Sequence, residues 1–179
     1  GPDDYLRNFY VTRENNTDIM VSNPDPKIQA SSGYGQDNVM AKVLFEPSSV
    51  WDITYAFHYS TTTNVNRYDR LIRIENDVPR SAEWYYGPQV WMMNNLTVHN
   101  IANNDLFDEF TLRFASQVFD ESRIDRDFNG VNRFDRKEKV NALSGNADFV
   151  KSLNQKNTFF YGTEVIFNDV TSTGQVTDI

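Results

Sequence analysis

The stretch Ser49-Val50-Trp51-Asp52-Ile53-Thr54-Tyr55-Ala56-Phe57-His58-Tyr59-Ser60 decides the fold. In it Trp51, Ile53, Tyr55, Phe57 and Tyr59 alternate with Asp52, Thr54, Ala56, His58 and Ser60. Successive side chains of a strand point to opposite faces, so this alternation makes one face aromatic and the other polar. A helix would scatter the same residues around its circumference. Such a strand fits two settings. It can lie on the core of a soluble sandwich, or it can be a wall strand of an outer-membrane barrel, apolar toward lipid and polar toward the lumen.

Working outward, the same pattern recurs. Val39, Ala41, Val43 and Phe45 alternate with Asn38, Lys42 and Glu46 at the end of an extended segment running from about Gln29. Val90, Met92, Leu96 and Val98 oppose Trp91, Asn95, Thr97 and His99. The segment from Leu106 to about Ile124 sets Phe110, Leu112, Phe114 and Val118 against Glu109, Thr111, Arg113 and Gln117. Arg136 to Leu153 alternates weakly, and Asn157 to about Val170 sets Phe159, Tyr161, Val165 and Phe167 against Thr158, Gly162, Glu164 and Asn168. Two shorter strands, Tyr5 to Arg13 and Thr17 to Ser22, flank the turn Glu14-Asn15-Asn16, where Asn tolerates positive φ. Asn23-Pro24-Asp25-Pro26 then breaks the pattern.

Short turns fall near residues 48, 104 and 155, about fifty residues apart. Longer connections, residues 61 to 87 and Asp125 to Asp135, join the strands at the opposite end. Ordinary globular strands run roughly five or six residues, whereas these run well past ten, long enough to cross a bilayer with the usual tilt. Long strands with short turns at one end and long loops at the other favour an all-β, antiparallel up-and-down transmembrane barrel segment over the sandwich.

The composition is compatible with that reading. The net charge is −8 and the pI about 4.7, which argues against a general nucleic-acid binder. Mean hydropathy is −0.60 although 14% of residues are aromatic, a combination that suits strands apolar on one side only. No apolar run approaches the roughly 20 residues of a membrane helix. Without cysteine, disulfides and thiolate metal sites are excluded. The chain shows no signal peptide, and Gly1-Pro2 fits a protease scar or a native start equally well.

Several motifs carry possible chemistry. Arg67, Asp69 and Arg70 lie in the longest irregular stretch with Trp84, Tyr85 and Tyr86. Guanidinium groups capture carboxylates, and aromatic faces stack on flat ligands or line a membrane interface. The plainer reading, which the sequence favours, is a brace of Arg67 and Arg70 on Asp69 and Glu83, with the aromatics as girdle or loop packing. Asp125-Arg126-Asp127-Phe128-Asn129-Gly130 matches the opening of a calcium loop, but Arg136 stands where the bidentate Glu belongs; a polar barrel loop is the expectation, with no metal site and no cofactor. His58 and His99 fall on polar faces without ligand-spaced partners, as solvated or hydrogen-bonded side chains do. Asn15-Asn16-Thr17 and Asn95-Leu96-Thr97 match glycosylation sequons by chance if the origin is bacterial. The carboxylate neighbours Asp108-Glu109 and Asp120-Glu121 point to opposite faces of a strand, and no nucleophile, base and orienting group assemble; no enzyme is expected.

The runs Gly33-Tyr34-Gly35-Gln36-Asp37-Asn38, Asn66-Arg67-Tyr68-Asp69-Arg70-Leu71, Ala82-Glu83-Trp84-Tyr85-Tyr86-Gly87-Pro88-Gln89, Glu121-Ser122-Arg123-Ile124-Asp125-Arg126 and Phe160-Tyr161-Gly162-Thr163-Glu164 resemble the barrel of TonB-dependent outer-membrane receptors, in the Bacteroidetes branch labelled as haem, haemoglobin or siderophore receptors. The resemblance spans nearly the whole chain and implies residues 1–179 as part of a barrel of the 22-stranded, plugged class. It implies energy-coupled uptake of a scarce nutrient, such as an iron-siderophore or haem, across the outer membrane of a Gram-negative bacterium. The implied partners are the plug and remaining strands of the same receptor, TonB, outer-membrane lipid and the nutrient. A TonB box, a plug domain, a terminal aromatic strand and the haem-receptor loop histidine are not found, so the chain reads as a middle slice. Residues 64 to 89 are then an extracellular loop, with Arg67, Arg70, Trp84 and Tyr85 as ligand contacts. The competing class is a soluble β-sandwich that binds glycans.

Overall fold

A computed structural model describes residues 6–179. Tyr5, where the sequence places the first strand's start, and Gly1-Pro2 lie outside the described residues. Among the described residues strands make up 74% and helix 2%, and every pairing is antiparallel, so the chain is all-β. A hairpin of β1 (Phe9–Glu14) and β2 (Thr17–Ser22) comes first, followed by β3 (Gln36–Ser48) and β4 (Trp51–Thr62). The connection onward carries β5 (Val65–Asn66), one helical turn α1 (Tyr68–Leu71), and the small hairpin of β6 (Ile74–Glu75) and β7 (Val78–Pro79). Four long strands complete the chain: β8 (Ser81–Ile101), β9 (Glu109–Asp127), β10 (Asn132–Asn154) and β11 (Asn157–Asp178).

The main sheet runs β11-β10-β9-β8-β4-β3, with β5 paired to β8. Along that path each long strand lies beside the long strand that precedes or follows it in the chain. The connections 49–50, 102–108 and 155–156 therefore share one end, and 63–80 and 128–131 share the other. β3 and β11 are the open edges.

Register shows how the alternation is used. Ile53 pairs with Val98, Val98 with Leu112, and Leu112 with Ala147. Tyr55, Leu96, Phe114, Gly145 and Val165 form the next row, and Phe57, Asn94, Ser116, Leu143 and Phe167 the one after. Partners directly across a ladder share a face, so Ile53, Tyr55, Phe57, Phe110, Leu112, Phe114, Phe159, Tyr161, Val165 and Phe167 lie on one surface, as the period of two requires. Asp52, Thr54, His58, Thr111, Arg113, Glu164 and Asn168 lie on the other.

The apolar face is left uncovered. Val43, Phe45, Phe114, Leu143, Val165 and Phe167 are each more than half exposed, and the buried hydrophobic side chains among the described residues are Phe9, Leu71 and Ile124. The accessible surface is 12063 Å², against about 8,900 Å² for a folded monomer of this mass. A sandwich would pack a second sheet about 10 Å away over this face; among the described residues no sheet does so. At the short-turn end the face carries a cluster of rings. Phe107, Phe110 and Phe149 pack against one another, with Trp51 edge-on to Phe110 at 5.7 Å and Tyr161 stacked on Phe149 at 5.1 Å.

Three expectations are corrected. Residues 81 to 89 belong to β8 and are not loop: the strand passes through a bulge between Gly87 and Val90. A bulge admits Pro88, whose missing N–H removes nothing from a ladder already interrupted there, and it resets the alternation that marks the strand on either side. Asp125 and Asp127 close β9, so the supposed loop of 125–135 shrinks to residues 128–131. There Asn129 supplies the positive φ (58°) of the turn, and the calcium-like motif is a strand end and hairpin. The final strand continues to Asp178.

Candidate functional site

The polar and charged residues converge at the loop end. Backbone pairing sets their positions: Val65 pairs with Tyr86, Asn66 with Tyr85, and the Arg67 N–H donates to the Trp84 carbonyl at 2.9 Å. Arg67 is thereby laid beside β8. Its Nε and Nη2 donate to the two oxygens of Asp69 at 2.8 and 3.0 Å, and its Nη1 donates to the Tyr86 hydroxyl at 3.0 Å. The guanidinium sits 5.2 Å from the Trp84 ring centre and 5.6 Å from that of Tyr86, within cation–π range. Trp84 and Tyr86 meet edge-on at 5.3 Å. Arg70 stacks on Trp84 at 5.7 Å, its Nε 3.7 Å from Asp69. The Asp69 hydrogen bonds hold Arg67 above its ordinary pKa, and reciprocally hold Asp69 below the usual carboxylate range.

Of the four residues that sequence reasoning nominates, the structure thus brings Arg67, Arg70 and Trp84 together, with Tyr86 as the fourth member. Tyr85 points the other way. Neighbours in a strand alternate faces, and Tyr85 instead bonds Arg133, whose guanidinium also lies 5.8 Å from its ring. Burial raises the Tyr85 pKa. The brace on Asp69 is present, but Glu83 is not part of it.

Glu83 belongs to a second, buried network. Arg126 is 2% exposed. It donates Nη1 and Nη2 to the two oxygens of Asp18 at 2.6 and 2.8 Å, Nε to Glu83 at 3.1 Å and Nη1 to the Gly130 carbonyl at 3.0 Å. The Asn129 N–H adds a bond to Asp18 at 2.7 Å, and Arg13 another at 3.1 Å. Burial alone would raise the Asp18 pKa; the bonds from Arg126, Asn129 and Arg13 outweigh it and hold the carboxyl below its ordinary value. Asp18 lies on β2, so this network fastens the first hairpin to the end of β9.

On the polar face beside Trp84 and Tyr86, a cavity of about 520 Å³ is lined by Tyr86, Glu121, Arg123, Arg136 and Glu138 among others. Arg136 pairs with Asp125, whereas Arg123 makes no ion pair among the described residues. Sequence reasoning passes over these residues because it follows the alternation along this strand only as far as Gln117 and Val118. Carrying the period-two count from Arg113 and Gln117 up β9 would have placed Glu121 and Arg123 on the same face.

The histidines lie apart. His58 packs on Trp91 with ring centres 4.5 Å apart, and His99 Nδ1 is 3.1 Å from the Thr111 hydroxyl. Among the described residues no group of three His, Asp or Glu side chains could hold a metal ion.

Compared with protein-family models, with curated proteins and with solved structures, the chain matches none of them.

Proposed function

We propose that this chain forms wall strands and outer-end loops of a TonB-dependent outer-membrane receptor that takes up a scarce nutrient such as an iron-siderophore or haem. The carrying observation is the uncovered apolar face. From Trp51 to Tyr59 it covers nine residues of β4, matching the roughly 9–11 residues of a tilted transmembrane strand. Water is the wrong solvent for it, since each large apolar side chain left exposed forgoes about 1.5–3 kcal/mol. Lipid is the right one, and the ring cluster at its lower margin suits a membrane interface. The open edges at β3 and β11 are then continued by other strands of the same receptor, and the loop end faces outward. Plug, TonB and lipid are the partners of this reading, and it assigns the chain no catalysis.

Because the chain has no cysteine, single-cysteine variants of it can carry one fluorophore each. Labels at Tyr55, Phe114 and Val165 are expected to be quenched by brominated lipid, and labels at Thr54, Arg113 and Glu164 to be spared. Equal quenching of both sets would sink the membrane reading. For the ligand, Arg70 and Trp84 are the better contacts, because Arg67 already spends its donors on Asp69 and Tyr86. Loss of one desolvated, charge-assisted bond costs about 1.5–3 kcal/mol, so Arg70→Ala is expected to weaken binding on the order of tenfold to a hundredfold. Unchanged affinity would leave the cluster as a loop brace only.

A further inference from the structure

Arg7 is 3% exposed, yet its Nε and Nη1 are buried and have no hydrogen-bond partner among the described residues. Its backbone is pinned: the N–H donates to Pro26 at 2.8 Å, and the carbonyl accepts from the Asn23 amide at 2.8 Å. Its guanidinium lies 5.9 Å from the Tyr68 ring centre, and the Tyr68 hydroxyl is likewise buried and unpartnered. Arg7 lines a cavity of about 130 Å³ together with Ser31, Asn66, Leu71, Glu83 and Tyr85. A water needs only about 10–15 Å³ of such space, so the cavity has room for a small polar guest.

The nearby acid does not answer the charge. Glu83 is taken up by Arg126 at 3.1 Å and by Arg133 at 3.3 Å, and Arg7 forms no salt bridge among the described residues. A buried guanidinium without a counter-charge is costly, and burial does lower the pKa of Arg7. The group that answers it is an acceptor, because a guanidinium has only donors, and because arginine keeps its proton an anion answers it better than water does. It must also be small.

We propose that this cavity is a binding site for the carboxylate of a small free acid, held by the unpartnered donors of Arg7. The site lies on the face opposite the Arg67–Trp84 cluster and does not depend on the membrane reading. Binding to the folded chain alone shifts its stability by mass action.

The test titrates acetate against the intact protein, with chloride at equal ionic strength as control, and follows the midpoint of thermal unfolding. A saturable rise with acetate alone is expected. Arg7→Met, which fills the same space without charge, should abolish that rise while leaving the acetate-free midpoint equal to or above that of the parent. Arg7→Lys keeps the charge but loses the fork of donors and should raise the half-saturating acetate concentration several-fold, which tests the site even if Arg7→Met does not fold. Equal responses to acetate and chloride, or an acetate response that survives Arg7→Met, would overturn the proposal. So would a response that emerges only when Asp3 and Asp4 are both changed to Asn, since the chain would then supply its own carboxylate.

Discussion

Below the row Tyr59–Met92–Val118 the sheet presents large apolar side chains to its surroundings and hides almost nothing. Above that row it buries charges: Arg126 and Asp18 are among the least exposed residues of the chain, while Phe167 and Val165 are among the most exposed. In an ordinary soluble domain the two assignments are reversed. The lower part is cohesive through its ladders and depends on an outside medium for its side chains. The upper part makes its own interior, with the first hairpin and the α1 segment as a lid over β8 and β9. Two kinds of stability therefore coexist along the same strands.

The contrast is broken most severely at Asp18. Asp18→Ala strips buried Arg126 of its bidentate partner and leaves it Glu83 alone; breaking comparable buried pairs costs about 3–5 kcal/mol. Hydrogen exchange should show residues 6–23 losing protection while β10 and β11 keep theirs; uniform loss along the sheet would show that the two parts are not separable. Replacing the pair together, Asp18→Leu with Arg126→Met, should recover most of the loss.

Next comes the lower part. Under the proposed membrane placement, Tyr55→Lys should destabilise by about 2–4 kcal/mol, the range for a lysine at the lipid-facing midplane. Thr54→Lys, one residue away on the polar face, should fall within about 0.5 kcal/mol. Unfolding titrations in lipid vesicles compare them, and equal effects would remove the distinction between faces.

A smaller effect is expected at Gly162. A Cβ there would lie 2.4 Å from the Ala147 carbonyl oxygen and 3.0 Å from an Asp148 oxygen. Backbone must move, so Gly162→Ala should cost about 1–3 kcal/mol, the range for overpacking, in the lower part only. Exchange at β10 and β11 would reveal it, with no change at residues 6–23.

The mildest probe is pH. The folded-state pKa of Asp18 is depressed; its contribution is therefore fully present above the unfolded value of about 3.9 and is lost as pH falls through the folded value. Hairpin protection should be equal at pH 7 and pH 5 and decline only below about pH 4. A decline already at pH 6 would implicate another group.

How far the sequence could be read follows from the same contrast. In the lower part, one environment per face writes itself into every second residue, so strands and faces could be taken from Trp51–Tyr59 and its repeats. In the upper part the information is not periodic. The Gly87–Val90 bulge hides nine residues of β8 from a period-two count, and that error makes Tyr85 look equivalent to Trp84 when Tyr86 is its true face-mate. The Asp18–Arg126 pair joins residues 108 positions apart, and nothing in either local stretch names the other. Arg67 with Asp69 was legible because both lie on one turn.

The order of the sheet, in which each long strand lies beside the next long strand of the chain, bears on how such a chain can change in size. Adding one more hairpin at β3 or β11 would reroute no existing connection and shift no existing register. Each hairpin brings its own two-faced pattern, so a duplicated pair of strands would already match the wall it joins. The architecture is thus a tape that can be lengthened by copying, with novelty confined to the segments between the copies.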